Sequence, residues 1–433
     1  MKHKINKFLT ALLFFAGVYC PLAVASNQIP APPQSEPIAL TGAAIHSMDR
    51  PVVENGTIIF DKGRIVGLGR DVPIPAGAQV VDLSGKRIYP GLIESASRLG
   101  LTEISAVRAT LDFAEIGLIN PNVRAQVAIN PDSEHIPVAR ANGVALAVSA
   151  PFGGLISGQA SLLQLDGWTW EDMTLKSSVA MMVNWPRIRS GKAGDSDRKM
   201  IQTLQKAFRD ARAYLTAVEA AEQKGAQSPK PDLRWQAMIP VLKGDLPVWV
   251  RADNLRQIRA SVDWADREKI KLVLVGGADS HRAADLLIRK GVPVIVTPVQ
   301  RLPARRDSGY DDPFTLAARL HQAGIKFCIA GGPGSGTERN LPYHAAMAAA
   351  YGLPKEEAIK AITRYPAEII GLDNRIGTLA EGKDATLIVT DGDPLEITTR
   401  VERLYIQGRP VDLNNRHKTL YSKYVQKYEQ EGR

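Results

Sequence analysis

The side chains able to do chemistry in this chain are a few acids, a few histidines and a scatter of arginines. Asp279 and His281 stand two apart in Gly277-Ala-Asp-Ser-His-Arg282. That spacing suits an acid–base pair, and equally a helix start capped by Asp279 or Ser280. Glu94, in Leu92-Ile-Glu-Ser-Ala-Ser-Arg98, is a third candidate acid–base group. Arg98 and Arg251 close apolar runs, Asp253 follows Arg251 by two, and Arg301 and Arg339 lie in segments after later runs, Arg301 with Arg305 and Arg306 nearby. A guanidinium grips carboxylate or phosphate with a two-pronged fork. Arg98, Arg251, Asp253, Arg301 and Arg339 are therefore candidates for holding a small anionic or amide-bearing ligand. The alternative is that Arg98 and Arg251 pair with Glu94, Asp253 or other acids and fill space, because buried arginines need such partners.

Other constellations are missing. His46, His135, His281, His321, His344 and His417 include no pair at the i, i+2 or i, i+4 spacing of a local metal site, so spacing predicts no metal ligands. Ser95, Ser97 and Ser149 lie in no Gly-x-Ser-x-Gly elbow. Gly331-Gly-Pro-Gly-Ser-Gly336 lacks the Gly-Lys-Ser/Thr of a phosphate cradle and is expected to be a loop. Cys328, in the apolar run Ile325-Lys-Phe-Cys-Ile-Ala330, is expected to be a buried, inert thiol.

The elements that must position these groups begin after a leader. Lys2, Lys4 and Lys7 precede an apolar run from Phe8, and Ala23-Val24-Ala25 offers small residues for cleavage before Ser26. Residues 1–25 thus predict a secretory signal peptide and an exported protein, periplasmic or secreted, with no membrane anchor after cleavage. Tyr19 before Cys20 is too large for a good lipoprotein site. The formal charge of +9 falls to about +6 without the leader lysines, and basic residues alternate with acids rather than forming a stripe. No nucleic-acid partner is expected; a homo-oligomer is compatible with the sequence. The 433 residues, 45% of them hydrophobic, suit two or three domains with a large core.

Residues 26–35 read as a Pro-rich linker, and 36–88 as short strands with a tight turn at Asp61-Lys-Gly63. From residue 89 to about 374, apolar runs alternate with helical patterns at 254–268, 280–290 and 313–323. Strand candidates are 88–94, 144–149, 179–184, 247–251, 271–276, 293–297 and 325–330, with an eighth expected within 185–246. Repeated βα units predict a parallel sheet covered by helices, and an α/β fold built on a TIM-like (β/α)8 barrel fits best. Residues 375–412 return to β structure, and 413–433 form a charged, partly helical tail.

Two stretches carry a family resemblance. Tyr89-Pro-Gly-Leu-Ile-Glu-Ser-Ala-Ser-Arg98 resembles the first barrel strand of the amidohydrolase superfamily, and Ile376-Gly-Thr-Leu-Ala-Glu-Gly-Lys-Asp-Ala-Thr-Leu-Ile-Val-Thr-Asp-Gly-Asp-Pro394 resembles its C-terminal signature. Asn340-Leu-Pro-Tyr-His-Ala345 and Ala361-Ile-Thr-Arg-Tyr-Pro-Ala367 are similar to the imidazolonepropionase-like branch. The resemblance implies a composite β-sandwich from residues 36–88 and 375–412 beside a barrel at 89–374. It also implies zinc or another divalent metal and hydrolysis of C–N bonds in cyclic amides, imides or dipeptides. In the family the first strand continues Asp-x-His-x-His. Here Glu94 takes the Asp position, while Ala96 and Arg98 take the histidine positions. Arg251 stands at the expected strand-five histidine, Gly276-Gly277 at strand six, and Gly331-Gly332 where strand eight should supply an aspartate. The implied activity therefore lacks its ligands. The expectation is an exported amidohydrolase-like protein without metal-dependent hydrolysis, acting as a small-ligand binder or scaffold. The alternative is a hydrolase using an unusual metal site or metal-free acid–base groups. His281 and His344 are the histidines expected to face the barrel mouth.

Overall fold

The structure is a computed structural model that describes residues 28–432, apart from 189–190, 225–226, 307, 333 and 335. The segment expected to be a signal peptide lies outside the described residues, as do two positions of 331–336.

The first sheet starts with β1 (Ile38–Ile45), β2 (Val53–Asp61), β3 (Arg64–Gly69), β4 (Gln79–Asp82) and β5 (Arg87–Pro90). The β2–β3 hairpin turns through Lys62 and Gly63, both at positive φ, which matches the right-handed twist of paired strands. β14 (Leu387–Thr390), β15 (Val401–Ile406) and β16 (Arg409–Val411) return from the other end of the chain, and β14 pairs antiparallel with β5. The sheet order is β16-β15-β14-β5-β1-β2-β3, with β4 on β1. Ile38, Leu40, Ile58, Phe60, Leu387, Val389 and Tyr405 belong to a core private to this sheet.

The second sheet is the barrel. In order it runs β6 (Leu92–Ser97), β7 (Val144–Ser149), β8 (Ile156–Gln164), β9 (Thr174–Asn184), β10 (Val248–Ala252), β11 (Leu272–Gly276), β12 (Val294–Val296) and β13 (Phe327–Ile329). β10 to β12 are fully apolar runs except at Arg251 and Gly276, as strands covered on both faces require. Between β13 and β6 the seam is bridged by backbone: Ile329 N–H donates to Ala361 O and Ile93 N–H to Ile362 O, both at 2.9 Å. Helices Leu255–Glu268, Ala284–Lys290 and Asp312–Gln322 follow β10, β11 and β12. Asn254 and Gln257 close a reciprocal capping box that starts the first of these directly after β10.

Two expectations need correction. The remaining barrel strand is β8, at 156–164, whereas 185–246 contains the helices Gly191–Lys224 and Leu233–Lys243. β8 also runs antiparallel to both neighbours, so the sheet is parallel except for one reversed strand. A strand entered through the short connection 150–155 must run backwards, because a parallel return needs a long crossover.

Candidate functional site

In a barrel of this kind the loops at the C-terminal strand ends build the site. Arg98, Asn184, Arg251, Asp253, Gly276 and Gly331 fall at or close to those ends, whereas Glu94 lies inside β6.

Arg98 and Arg251 come together. The Arg98 guanidinium carbon lies 4.0 Å from the centre of the Phe113 ring and 4.6 Å from that of Phe152. Arg251 stacks on the same Phe152 ring at 4.7 Å. Arg251 Nη1 donates to Asn184 Oδ1 and Nη2 to Pro151 O, each at 3.1 Å. Arg98 Nε is buried and has no hydrogen-bond partner. Among the described residues neither arginine reaches a carboxylate, so the expected neutralisation by Glu94 or Asp253 is absent. Burial, and secondarily the charge of Arg98, pushes the Arg251 guanidinium down to about 9; burial also lowers Arg98. At neutral pH both remain cationic, and two stacked cations without a counter-ion form an anion-attracting spot.

Glu94 is elsewhere occupied. It is fully buried, with Oε1 accepting from Ala96 N–H at 3.0 Å and Oε2 from Gly331 N–H at 2.8 Å. Burial raises its carboxyl to about 8 despite those two bonds. His344 stands on the other side of Gly331; its Nδ1 accepts from Gln300 N–H at 3.1 Å, which assigns the proton of the neutral ring to Nε2. Burial holds this imidazole down near about 4. Glu338, which the sequence did not single out as a site residue, is also buried, and burial lifts its carboxyl to about 7.

Asp279 and His281 line a separate cleft of about 230 Å³ with Arg282, Arg301, Arg305 and Asp312. Asp279 does not cap the following turn through its side chain. Its carboxylate accepts from both Nη atoms of Arg305, at 2.8 and 3.1 Å, and from Leu255 N–H. Burial would raise this carboxyl, but the Arg305 fork and the Leu255 bond hold it below the usual range. It is thus a structural anion rather than a base poised near neutrality. His281 Nδ1 is buried without a partner, and burial lowers its pKa. Burial raises the Asp253 carboxyl, a shift opposed mainly by the Arg301 charge. Arg339 points to the tail helix Arg416–Gln430, where its Nη1 lies 3.2 Å from His417 Nδ1. Glu94 therefore shares no contact with Asp279 or His281, and Arg339 contacts neither Arg98 nor Arg251.

The residues do not fit a metal. Ala96 has no donor atom and the two arginines carry no lone pair. No group of three or more His, Cys, Asp or Glu among the described residues is placed to hold an ion. Side chains at the two glycine positions would have to displace a carboxylate already in place. A Cβ on Gly276, which has φ +98°, would lie 2.5 Å from Asp253 Oδ1. One on Gly331 would lie 2.9 Å from Glu94 Oε2. Ser95, Ser97 and Ser149 hydroxyls are spent on Cys328 Sγ, Val148 O and Leu99 O. Burial drives the Cys328 thiol up to about 12.

Phe113, Phe152 and Asn184 also escaped the sequence reading. Asn184 ends a predicted strand, which is a usable signal. Phe113 lies in the long irregular segment after β6, where spacing says nothing about contact.

A barrel with a second sheet built from both chain ends is also the fold of a solved amidohydrolase. An amidohydrolase from Thermotoga maritima superposes with a TM-score of 0.79 at 24% identity, covering 87% of this chain and 99% of that one. Residues 259–415 match the amidohydrolase family. The chain is 22% identical to the amidohydrolase tasK of Hapsidospora irregularis, over 84% of this chain and 41% of that protein. It is 24% identical to an imidazolonepropionase of Mesorhizobium japonicum, over 81% of this chain and 90% of the relative. The chain thus spans less than half the length of the first of these relatives. The matched segment, these relatives and the shared fold together support the amidohydrolase superfamily.

Proposed function

We propose that this amidohydrolase-fold protein binds a small anionic ligand at the barrel mouth through Arg98 and Arg251, and does not perform metal-dependent hydrolysis. One observation carries the reading: two adjacent guanidiniums, stacked on one ring, have no carboxylate partner among the described residues. Holding two such charges together in a half-buried setting is costly unless an anion completes the set. The metal half of the reading rests on the donors present, not on family membership. Residues 1–25 further support an exported location, which cell fractionation would check.

Two measurements test the proposal. Titration calorimetry with inorganic phosphate, acetate and 3-phenylpropanoate should detect binding that Arg251→Ala abolishes; no heat with any of the three, at millimolar concentrations, sinks it. Elemental analysis of purified protein should find zinc far below one equivalent. A tightly held stoichiometric transition metal would overturn the metal-free half. Metal-free hydrolysis gains no support from the arrangement, because Glu94 is sealed and Asp279 is committed to Arg305.

A further inference from the structure

Building on that anion-binding reading, we propose that the ligand is a carboxylate carried on an apolar body, such as an aryl or branched-chain acid, rather than a bare oxyanion. The first support is how the arginines present themselves. Stacking against Phe113 and Phe152 occupies the guanidinium faces and leaves the N–H edges. Edge donors lie in one plane and match the two coplanar oxygens of a carboxylate. On Arg251 two N–H groups are already used, on Asn184 and Pro151. Arg98 makes no hydrogen bond to any described residue, and its Nε is buried. The free edge belongs mainly to Arg98, so the site offers one open fork flanked by a second positive charge.

The second support is independent of charge. The segment carrying Phe113 lies directly against the turn carrying Phe152. Phe152 N–H donates to Phe113 O at 2.7 Å, and Leu155 N–H donates to Leu118 O at 2.8 Å. Gly153 has no side chain there, and a Cβ would sit 3.1 Å from Ala114 Cβ. This close apposition holds up apolar side chains that it does not bury. Phe152 is 36% exposed, Leu118 43% and Ile116 94%. An apolar rim beside paired guanidiniums fits an amphipathic acid: the carboxylate meets the cations while the body covers the rim. Phosphate would leave that rim in water, and its larger charge would raise the desolvation penalty.

The test uses the full chain and three probes: 3-phenylpropanoate, acetate and inorganic phosphate. Calorimetric titration should show 3-phenylpropanoate binding at least tenfold tighter than either of the others. In Phe152→Leu, which keeps bulk but removes the ring, the preference over acetate should fall at least threefold. Arg98→Lys should weaken 3-phenylpropanoate at least tenfold, because an ammonium cannot fork. Phosphate binding as tightly as 3-phenylpropanoate, or a preference unchanged in Phe152→Leu, overturns the apolar-acid proposal and leaves the anion reading standing. Failure of all three probes overturns both. Thermal unfolding of each variant confirms that lost binding is not lost folding.

Discussion

Glu94 has no access to solvent, and its two oxygens are held by the N–H groups of Ala96 and Gly331. With the folded-state value raised to about 8, the native protein keeps this proton over a range where the unfolded chain has released it. This group's contribution to stability should be greatest below the ordinary carboxylate value, fall as pH rises through about 5 to 8, and level off above. Glu338, raised to about 7, adds a loss of the same sign. Urea unfolding at a series of pH values should show this decline, with a shallower slope in Glu94→Gln; an identical slope would refute the assignment. The substitutions at the strand ends were legible in the sequence, because alanine, arginine and glycine replace donor residues at countable positions. The aromatic partners were not. Stacking between Arg98 and Phe113 depends on how a long segment folds back, and no local spacing encodes that return.

At the scale of elements, the later strands announced themselves. Leu272–Gly276 and Val294–Val296 are short apolar runs followed by helical patterns, and the register places them side by side. β8 reads as part of a glycine-rich hairpin and not as a barrel strand, since Ser157, Gln159, Ser161 and Gln164 break the apolar run, and they are nevertheless buried. Most of their polar atoms find partners: Gln159 donates to Pro121 O, Ser161 to Gln126 Oε1, and Gln164 Nε2 to Asp172 O, while Gln164 Oε1 stays buried without one. A polar strand can therefore be interior when neighbouring loops satisfy it. The strand-end glycines give a sharper expectation. Gly276→His and Gly331→Asp should each lower unfolding free energy by about 1–3 kcal/mol, through overpacking against Asp253 and Glu94. Zinc should stabilise neither variant in a thermal shift assay, and a rise in melting temperature with zinc would contradict the packing argument.

For the molecule as a whole, Asp166 is the knot. Its carboxylate pairs with Arg140 of the barrel and with Arg409 of β16, both at 3.0 Å, and accepts from Ala31 N–H in the N-terminal segment. One buried anion thus ties the linker, the barrel and the second sheet together. Asp166→Ala would strand two guanidiniums, and a loss of about 3–5 kcal/mol is expected by chemical denaturation. A loss below about 1 kcal/mol would show that the sheets hold together without it. The pairing of chain ends was visible in their shared β character, but this three-way tie was not. Its members are 26 and 243 residues from Asp166 along the chain.

The crowded glycines also bear on what can happen to this mouth over evolutionary time. A mutation that restored one ligand would first collide with a carboxylate already in place, and one ligand alone would not retain a metal. Each step back is therefore disfavoured before any benefit can appear, and several changes would have to arrive together. On the anion-binding reading the arrangement would act as a ratchet: new selectivity would come from reshaping the rim around the arginines, while a ligand at either glycine would first have to displace a carboxylate.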